Sequence, residues 1–217
     1  MSIPTLSRDT LAVTLRDDAA PHAPGTCDKG LLRGAVGLTV IALAGFGFLY
    51  SLAGVGLGQA LFPAAANGSL VERDARVVGS ALVAQPFTSA RYFHSRPSAA
   101  GYDMMALAGS NQARTSPELR ARLEEARAAA ARREGVAPAA VPSDLVTQSG
   151  SGSDPHLSPR AAQIQIARVA RERGMSAEAM AALVAQHTAG RQWGVFGAPR
   201  VNVLALNLAL DRAGSAR

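Results

Sequence analysis

The sequence predicts an α+β fold in which one N-terminal transmembrane helix precedes a single mixed α+β extracytoplasmic domain. No charged residue lies between Gly34 and Val71, and residues 35–61 are almost wholly apolar, which predicts the helix. Residues 62–217 are numerous enough for one globular domain. Within them, proline and glycine separate helical patterns from short strand-like runs, so both kinds of element are expected.

Residues 1–30 are predicted to form a disordered tail, because they contain prolines and aspartates and show little periodicity. Residues 31–61 are predicted to form the transmembrane helix. The stretch from Ala35 to Leu61 alone would be about 40 Å long, against about 30 Å for the hydrocarbon core of a bilayer. A secretory signal would be shorter and nearer the N-terminus, and a buried core helix rarely has so many uncharged apolar residues in succession.

The predicted helix carries seven glycines between Gly34 and Gly58. Gly54 and Gly58 are four residues apart, as are Gly47 and Ser51, and this spacing of small residues lets two helices in lipid approach closely. We therefore expect these four positions to pack against a helix of a partner subunit, and the rest of the helix to contact membrane lipid. The alternative is that glycine is simply common in membrane helices.

The basic residues that flank the helix predict its orientation. Lys29 and Arg33 directly precede it, whereas Arg73 and Arg76 lie 12 and 15 residues beyond Leu61. Basic residues close to a membrane helix favour the cytoplasmic side. The N-terminus is therefore predicted to be cytoplasmic and the C-terminal domain extracytoplasmic.

The net charge of +6 lies wholly in residues 62–217, where 18 arginines face 12 acidic residues. The two signs are interspersed, which is typical of a solvated surface, so no nucleic-acid partner is expected. Cys27 is the only cysteine, which excludes an intramolecular disulfide and a cysteine-based metal site. The four histidines match no metal-ligand spacing.

Three helices are predicted in the domain from caps and glycines. Ser116 is a suitable N-cap with Pro117 at the first helical position, and this helix is expected to run to about Glu134, where the next residue, a glycine, stops it. The other two are expected from Ser158-Pro159 to Gly174 and from Ser176 to Gly190.

The remaining elements have weaker signals. The run from Val77 to Val83 predicts a strand, and Gln85-Pro86 is expected to end it. Residues 138–154 show no periodicity and are predicted to be irregular. Residues 201–210 predict either a final strand or a short buried helix, because the periodicity of so short an apolar run does not distinguish the two.

Two polar, glycine-rich segments are candidates for binding: residues 91–103 followed by 109–111, and residues 144–156. Backbone N–H groups in such runs can form a nest for an anion, and the alternative is an ordered connector that uses glycine for turns. The chain has no P-loop, because its only lysine is Lys29, and no G-x-S-x-G nucleophile elbow. A free-standing hydrolase using His94 or His156 with a nearby serine is a further hypothesis that no motif supports.

Several short runs of the sequence, taken together and in their order along the chain, are more specific than any single motif. They are Leu61-Phe62-Pro63, Tyr92-Phe93-His94, Arg96 to Asp103, Gly109-Ser110-Asn111, Asp144 to Thr147, Ser149 to Gly152, Asp154-Pro155-His156, Arg168-Val169-Ala170 and Pro199 to Leu204. With these runs the chain resembles the C subunit of the Kdp-type potassium-transporting P-type ATPase over about residues 31–211. Three features differ from that family: Tyr50-Ser51 stands where a Tyr-Pro pair is usual, so a proline kink is lost; Ser95 replaces a usual glycine; and the N-terminal tail is long.

The resemblance implies a subunit with no catalytic centre and no metal, which supports assembly and activity of a high-affinity K⁺ import complex in the bacterial plasma (inner) membrane. The implied partners are a potassium-channel-like subunit and an ATP-hydrolysing P-type subunit. The family is also assigned a chaperone-like effect that raises the ATP affinity of the catalytic subunit. No cofactor is expected to be firmly bound, but ATP could join a ternary complex.

The candidate nucleotide contacts implied by the resemblance are Gln148, Ser149, Gly150, Ser151 and Gly152. An extracytoplasmic domain would be separated from ATP by the membrane, so an effect on ATP affinity would have to be transmitted through the complex. The alternative is a direct nucleotide-binding regulator of the ATP-hydrolysing subunit.

Overall fold

The computed structural model describes residues 28–215. Contacts divide the chain into two compact units, with the boundary between Leu57 and Gly58. Most of the predicted disordered tail, and Cys27 with it, lies outside the described residues. The mixture of helices and strands confirms the predicted α+β class.

The N-terminal part of the chain is helical. Helix α1 covers Asp28–Ala42, a π-helical segment covers Leu43–Leu49, and α2 covers Tyr50–Leu61. The stretch Gly30–Leu61 is long and apolar enough to cross a membrane, and its most apolar part has no buried residue. The helix begins at Asp28 and not at residue 31, so three residues assigned to the tail are helical.

The π-helical segment distinguishes this helix from a regular one. The Tyr50 N–H donates to the carbonyl of Gly45, five residues earlier, where an α-helix would use the fourth. Gly45 and Gly47 both lie in the segment, and glycine tolerates altered backbone geometry at low steric cost. The wide turn directly precedes Ser51, so the helix has a local irregularity next to that residue.

A hairpin that the sequence did not predict follows the short helix α3, Pro63–Ala66. Strand β1, Leu70–Arg73, pairs antiparallel with β2, Arg76–Ser80. The prediction of a strand to Val83 was wrong at its C-terminal end, because the Ser80 hydroxyl accepts the Leu82 N–H at 3.1 Å and the chain turns there.

Helix α4, Pro117–Glu134, has the predicted bounds. Its N-cap is Ser116, whose hydroxyl accepts the Leu119 N–H at 3.1 Å, and Gly135 ends it with a left-handed φ of 67°. The segment predicted to be irregular contains only two short 3-10 turns, Pro138–Ala140 and Ser143–Leu145.

The second predicted helix is two helices, α5, Pro159–Gln163, and α6, Ile166–Arg173. The break falls at Gln165, whose side chain bonds the backbone of His94. Helix α7, Ala177–Gln186, ends before Gly190 because the next residues enter a sheet.

That sheet has three short antiparallel strands: β3, His156–Leu157; β4, Thr188–Ala189; and β5, Arg200–Asn202. Their order is β3-β5-β4, so β5 lies in the centre. Helix α8, Val203–Ser215, follows β5 directly, and the Asn202 side-chain oxygen accepts the Ala205 N–H at 3.0 Å as a cap. Residues 201–210 therefore contain both of the predicted alternatives, a strand and then a helix.

The core of the domain lies among α4 to α8 and the three-stranded sheet. Its completely buried side chains include Phe93, Leu157, Met180, Leu206 and Leu210. Phe93 is the large core side chain that the segment between the hairpin and α4 contributes. The irregular segment around it is thus tied to the helical core.

Candidate functional site

The predicted nucleotide segment, Gln148–Gly152, is packed into the domain. Ser149 and Gly152 are buried, whereas Gly150 and Ser151 are exposed. The Ser149 N–H donates to the Pro97 carbonyl at 3.4 Å, and the Gly152 N–H donates to the Ser149 carbonyl at 3.3 Å. The side-chain oxygen of Gln148 is buried and has no hydrogen-bond partner within residues 28–215. Two donors of the predicted anion nest are thus already engaged, and contact with a nucleotide stays a prediction.

Glycines let the two polar, glycine-rich segments approach each other closely. A Cβ atom at Gly109 would lie 2.8 Å from the Gly150 oxygen, and one at Gly152 would lie 2.8 Å from the Ala108 oxygen. Gly152 also has a φ of 76°, which is unfavourable for other residues. The Ser98 hydroxyl donates to the Gly152 carbonyl at 2.5 Å. The structure therefore joins residues that the sequence placed in separate loops.

Buried amide side chains hold the backbone of residues 90–94, here called the anchored segment. The Phe93 N–H donates to the side-chain oxygen of Asn207, and the Asn207 amide donates to the Phe93 carbonyl, both at 2.9 Å. The Gln165 side-chain oxygen accepts the His94 N–H at 2.8 Å. Both amides are buried, so their hydrogen bonds compensate the cost of removing them from water.

Arg168 completes this network from helix α6. Its guanidinium donates to the carbonyls of Ala90 and Tyr92 at 2.6 and 3.0 Å, and to the Gln165 side-chain oxygen at 2.9 Å. It also forms an ion pair with Glu134 at 2.8 Å, in which the two side chains are 5% and 0% exposed. A buried charge is tolerated only when it is paired and hydrogen-bonded, and here every nitrogen of the guanidinium donates.

An ionic cluster centred on Asp211 joins the β1–β2 hairpin to helix α8. The carboxylate of Asp211 accepts from Arg73 at 2.8 Å, from Arg173 at 2.9 Å and from the Tyr92 hydroxyl at 2.9 Å. The Arg173 guanidinium also lies 4.7 Å from the centre of the Tyr92 ring, a favourable cation–π arrangement. Burial acts to raise the pKa of Asp211, but the hydrogen bonds from Arg173, Tyr92 and Arg73 outweigh it, so the pKa lies below its ordinary value.

A cavity of about 670 Å³ lies beside this cluster. Its apolar lining comes from Val78, Phe87, Leu204 and Leu208, and charged residues that include Arg76 and Asp211 complete its wall. Apolar and charged side chains thus line the same cavity.

The contacts of the histidines bear on the hydrolase hypothesis. The His94 ring nitrogen lies 3.1 Å from the Ser89 carbonyl, and the His156 ring nitrogen lies 3.6 Å from the Asp154 carboxylate. In the part of the chain that the structure describes, neither ring is hydrogen-bonded to a serine hydroxyl. Burial lowers the pKa of His94 despite its hydrogen bond to Ser89. Within residues 28–215, no group of three His, Cys, Asp or Glu side chains is placed to hold a metal ion.

The predicted subunit-packing positions are open on the helix. Gly47, Ser51 and Gly54 are exposed and Gly58 is half-buried. A Cβ atom at Gly47 or Gly54 would meet no other atom within 4 Å, and one at Gly58 would lie 3.9 Å from Ala66. The space beside these residues is open, as it is beside the other glycines of the helix, and their role in subunit packing stays a prediction.

Sequence reasoning gave no role to four residues that organise the domain: Gln165, Arg168, Asn207 and Asp211. A signal was present for two of them. Gln165 lies between two isoleucines, and Asn207 lies within the apolar run from Val203 to Leu210. A lone amide in an apolar run points to a buried hydrogen bond.

Comparison with known proteins identifies the family. The family model described as "K+-transporting ATPase, c chain" (KdpC) matches residues 32–212. This range includes most of the apolar helix, the anchored segment and Asp211.

Curated relatives agree with that match. A potassium-transporting ATPase KdpC subunit of Xanthomonas oryzae pv. oryzae is 61% identical over 87% of this chain and 90% of its own length. Proteins with the same description from Gemmatimonas aurantiaca and Sorangium cellulosum are 53% and 51% identical, over 83% and 84% of this chain and 92% and 97% of their own lengths.

Proposed function

The chain belongs to the KdpC family of K⁺-transporting ATPase c chains, and on that premise we propose that it is a non-catalytic accessory subunit of a high-affinity, ATP-driven potassium importer. The family match over residues 32–212 is the observation that carries the proposal. The match spans both the apolar helix and the domain, so both parts are assigned to the complex.

The geometry of the domain supports a structural role. Its buried polar side chains, Gln165, Arg168 and Asn207, bond main-chain groups of the anchored segment. Hydrogen bonds of this kind fix an irregular surface in one conformation. A surface fixed in this way suits recognition by a partner subunit.

The apolar helix is proposed to cross the bacterial plasma membrane once and to pack there against the other subunits. Gly54 and Gly58 are proposed to provide the close-approach surface. Within residues 28–215, a Cβ atom at Gly54 would meet nothing within 4 Å and one at Gly58 would meet the Ala66 methyl group at 3.9 Å. Packing of backbone against backbone drives helix association in lipid. The partners proposed are the potassium-channel-like subunit and the ATP-hydrolysing P-type subunit.

The domain is proposed to lie on the extracytoplasmic face, with the N-terminus in the cytoplasm. Lys29 and Arg33 support this orientation because basic residues beside a membrane helix favour the cytoplasmic side. A chaperone-like effect on ATP affinity would then act through coupling within the complex. Under this arrangement, ATP would not contact Gln148–Gly152.

Deletion of the chain from cells that depend on this importer tests the proposal. The expected results are loss of K⁺ uptake at low external K⁺, and failure of the remaining two subunits to copurify. Re-expression of the complete chain should restore both. Full uptake without the chain would refute an accessory role that the pump requires.

Nucleotide labelling separates the proposal from a direct nucleotide-binding role. Purified full-length chain is exposed to a photoreactive ATP analogue, with a Ser151→Ala variant as control. The proposal expects no specific labelling. Saturable labelling that excess ATP removes, and that the variant reduces, would support direct binding instead.

A further inference from the structure

The loop between β4 and β5, residues 190–199, carries a cluster of exposed apolar side chains. Trp193, Val195 and Phe196 are 83%, 67% and 61% exposed. The Trp193 and Phe196 rings contact each other edge to face, with centroids 6.0 Å apart. Single exposed apolar residues are common, but three together on one loop usually mark a surface that contacts an apolar phase or a partner.

The loop is a defined turn and not an extended connector. The N–H groups of Gln192 and Phe196 each donate to the carbonyl of the other, at 2.9 and 3.0 Å. Trp193 has a left-handed φ of 51°, and Gly194 and Gly197 have φ values of 75° and 74°. A bulky residue in that region is unfavourable and persists where the surrounding structure imposes it. The fold therefore accepts strain while presenting the indole to solvent.

The charge around this loop is positive. No acidic residue occurs between Glu178 and Asp211. Arg191 and Arg200 flank the apolar cluster, and both are exposed. Among residues 28–215, the side chain of neither has an ion pair or hydrogen bond. An aromatic cluster flanked by unpaired arginines complements an anionic lipid surface, where tryptophan occupies the interface and arginine meets phosphate.

Arg200 also lines a cavity of about 680 Å³ together with Arg160. The other charged or titratable groups that face this cavity are Arg96, His156, Asp144 and Asp154. Arg96 is paired with Asp154 at 2.7 Å, and Asp144 accepts the Ser158 N–H at 2.8 Å. The two carboxylates are thus engaged within the protein, while the side chains of Arg160 and Arg200 have no partner among the described residues. A phosphate oxygen is the natural acceptor for two such guanidinium groups.

The chain between the aromatic rings and Arg200 is short. Arg200 follows Phe196 by four residues, so at most about 13 Å of chain separates them at about 3.3 Å per residue. The headgroup region on each side of a bilayer is about 5–8 Å thick, so the rings can lie at its acyl boundary while the Arg200 side chain reaches lipid phosphates. The domain begins at residue 62, directly after the apolar helix, so the chain itself confines it to the vicinity of the membrane.

We propose that the Trp193–Phe196 turn, with Arg160 and Arg200, binds anionic phospholipid of the leaflet on the domain's side. The turn places its aromatic rings at the acyl boundary and the two arginines contact lipid phosphates. This second attachment goes beyond the accessory role in the pump. It requires only that the apolar helix holds the domain beside a membrane.

Trp193 is the only tryptophan of the chain, so its fluorescence reports on this turn alone. The full-length chain is reconstituted into vesicles of phosphatidylcholine, or of equal parts of phosphatidylcholine and phosphatidylglycerol, with and without lipids brominated on the acyl chain. The expected result is strong quenching by brominated lipid in the anionic vesicles, weaker quenching in the neutral ones, and a decrease with added salt.

Variants that remove one charge test whether Arg160 and Arg200 contact the lipid. Arg160→Gln and Arg200→Gln should each lower the ratio of inserted to free turn about fivefold in anionic vesicles. Arg120→Gln with Arg127→Gln, on the exposed face of α4, is the matched control and should change nothing. An equal decrease in the control would show a general charge effect and would overturn the site.

Two other outcomes would also overturn the proposal. In the first, aqueous acrylamide quenches the fluorescence of Trp193 in anionic vesicles but brominated lipid does not. In the second, Trp193 is shielded from both quenchers in the assembled pump, which would place the turn against a partner subunit. Neither outcome affects the deletion test, so failure of this inference is distinguishable from failure of the proposed function.

Discussion

Replacing Arg168 with methionine should destabilise the domain more than any surface substitution. Methionine keeps much of the apolar stem but removes the guanidinium. The change removes the 2.8 Å ion pair with Glu134 and the donors to two carbonyls of the anchored segment. Because the Glu134 side chain is completely buried, its carboxylate is left with one ion pair, to the partly exposed Arg133 at 2.6 Å.

The size of the effect follows from the number of groups left unpaired. Removing one member of a buried ion pair costs about 3–5 kcal/mol of unfolding free energy. The ion pair that Glu134 keeps with Arg133 reduces this cost and the lost bonds to main-chain carbonyls increase it, so the expected value is about 4 kcal/mol. A domain of this size is stable by about 5–15 kcal/mol. With a urea dependence of about 2 kcal/mol per M, the unfolding midpoint should fall by about 2 M.

Urea unfolding of the full-length chain in detergent, followed by circular dichroism, measures this shift. Arg171→Met is the matched control, because Arg171 lies on the same helix with a side chain that is 71% exposed, and it should change stability by less than about 0.5 kcal/mol. Adding Glu134→Leu to Arg168→Met should recover part of the loss, since both buried charges are then absent. Equal midpoints for Arg168→Met and Arg171→Met would refute the reasoning.

Three further predictions address the glycine-rich loop, the ionic cluster and the helix. Gly152→Ala should lower the free energy of unfolding by about 1–3 kcal/mol, because of its left-handed φ and the carbonyl 2.8 Å from the new methyl group. Gly150→Ala, whose new methyl group meets open space, should leave stability nearly unchanged. Equal urea midpoints for the two variants would contradict this. Asp211→Asn should lower the free energy of unfolding by about 1–2 kcal/mol at neutral pH. Since the folded-state pKa of Asp211 is lowered, this contribution is present above the unfolded pKa of 3.8 and is lost as the pH falls through the folded value; a difference in urea midpoint that persists in strong acid would argue against the assignment. Gly54→Leu should weaken copurification with the other subunits about tenfold, whereas the same change at Gly56, on the other face of the helix, should not, and equal losses would exclude a specific packing face.

Local signals were sufficient where an element is specified by its own residues. Helix α4 has the predicted bounds because Ser116 caps it, Pro117 starts it and Gly135 ends it. The apolar helix was predictable for the same reason, since its length and lack of charge are properties of one continuous segment.

The remaining elements depend on contacts that are distant in sequence. Strand β1 was not predicted because its turn uses Asp74 and Ala75 at φ values of 53° and 59°, where the usual signal is Asn-Gly or Asp-Gly. The helix after Ser158 breaks at Gln165 because that side chain bonds His94, 71 residues away. Helix α7 ends early because the residues after it pair with β5.

The candidate site was likewise predictable only in its local features. The glycines of the two polar segments were recognisable, but not their contact, because Gly109 meets Gly150 across 41 residues. The network that holds the anchored segment combines side chains from α6 and α8 with Gln165, and no local pattern specifies which main-chain groups they bind.

The position of the domain relative to the membrane is the central claim, since an accessory subunit acting on the ion side must expose residues 62–217 outside the cell. Cys27, the only cysteine, reports the N-terminal side. An Ala129→Cys variant in a Cys27→Ser background reports the domain, at an exposed position of α4. A membrane-impermeant maleimide added to spheroplasts that contain the assembled pump is predicted to label the cysteine introduced in α4 and to leave Cys27 of the unmodified chain unlabelled. Labelling of Cys27 with protection of the introduced cysteine, and the reverse pattern in inside-out vesicles, would place the domain beside ATP and contradict the account.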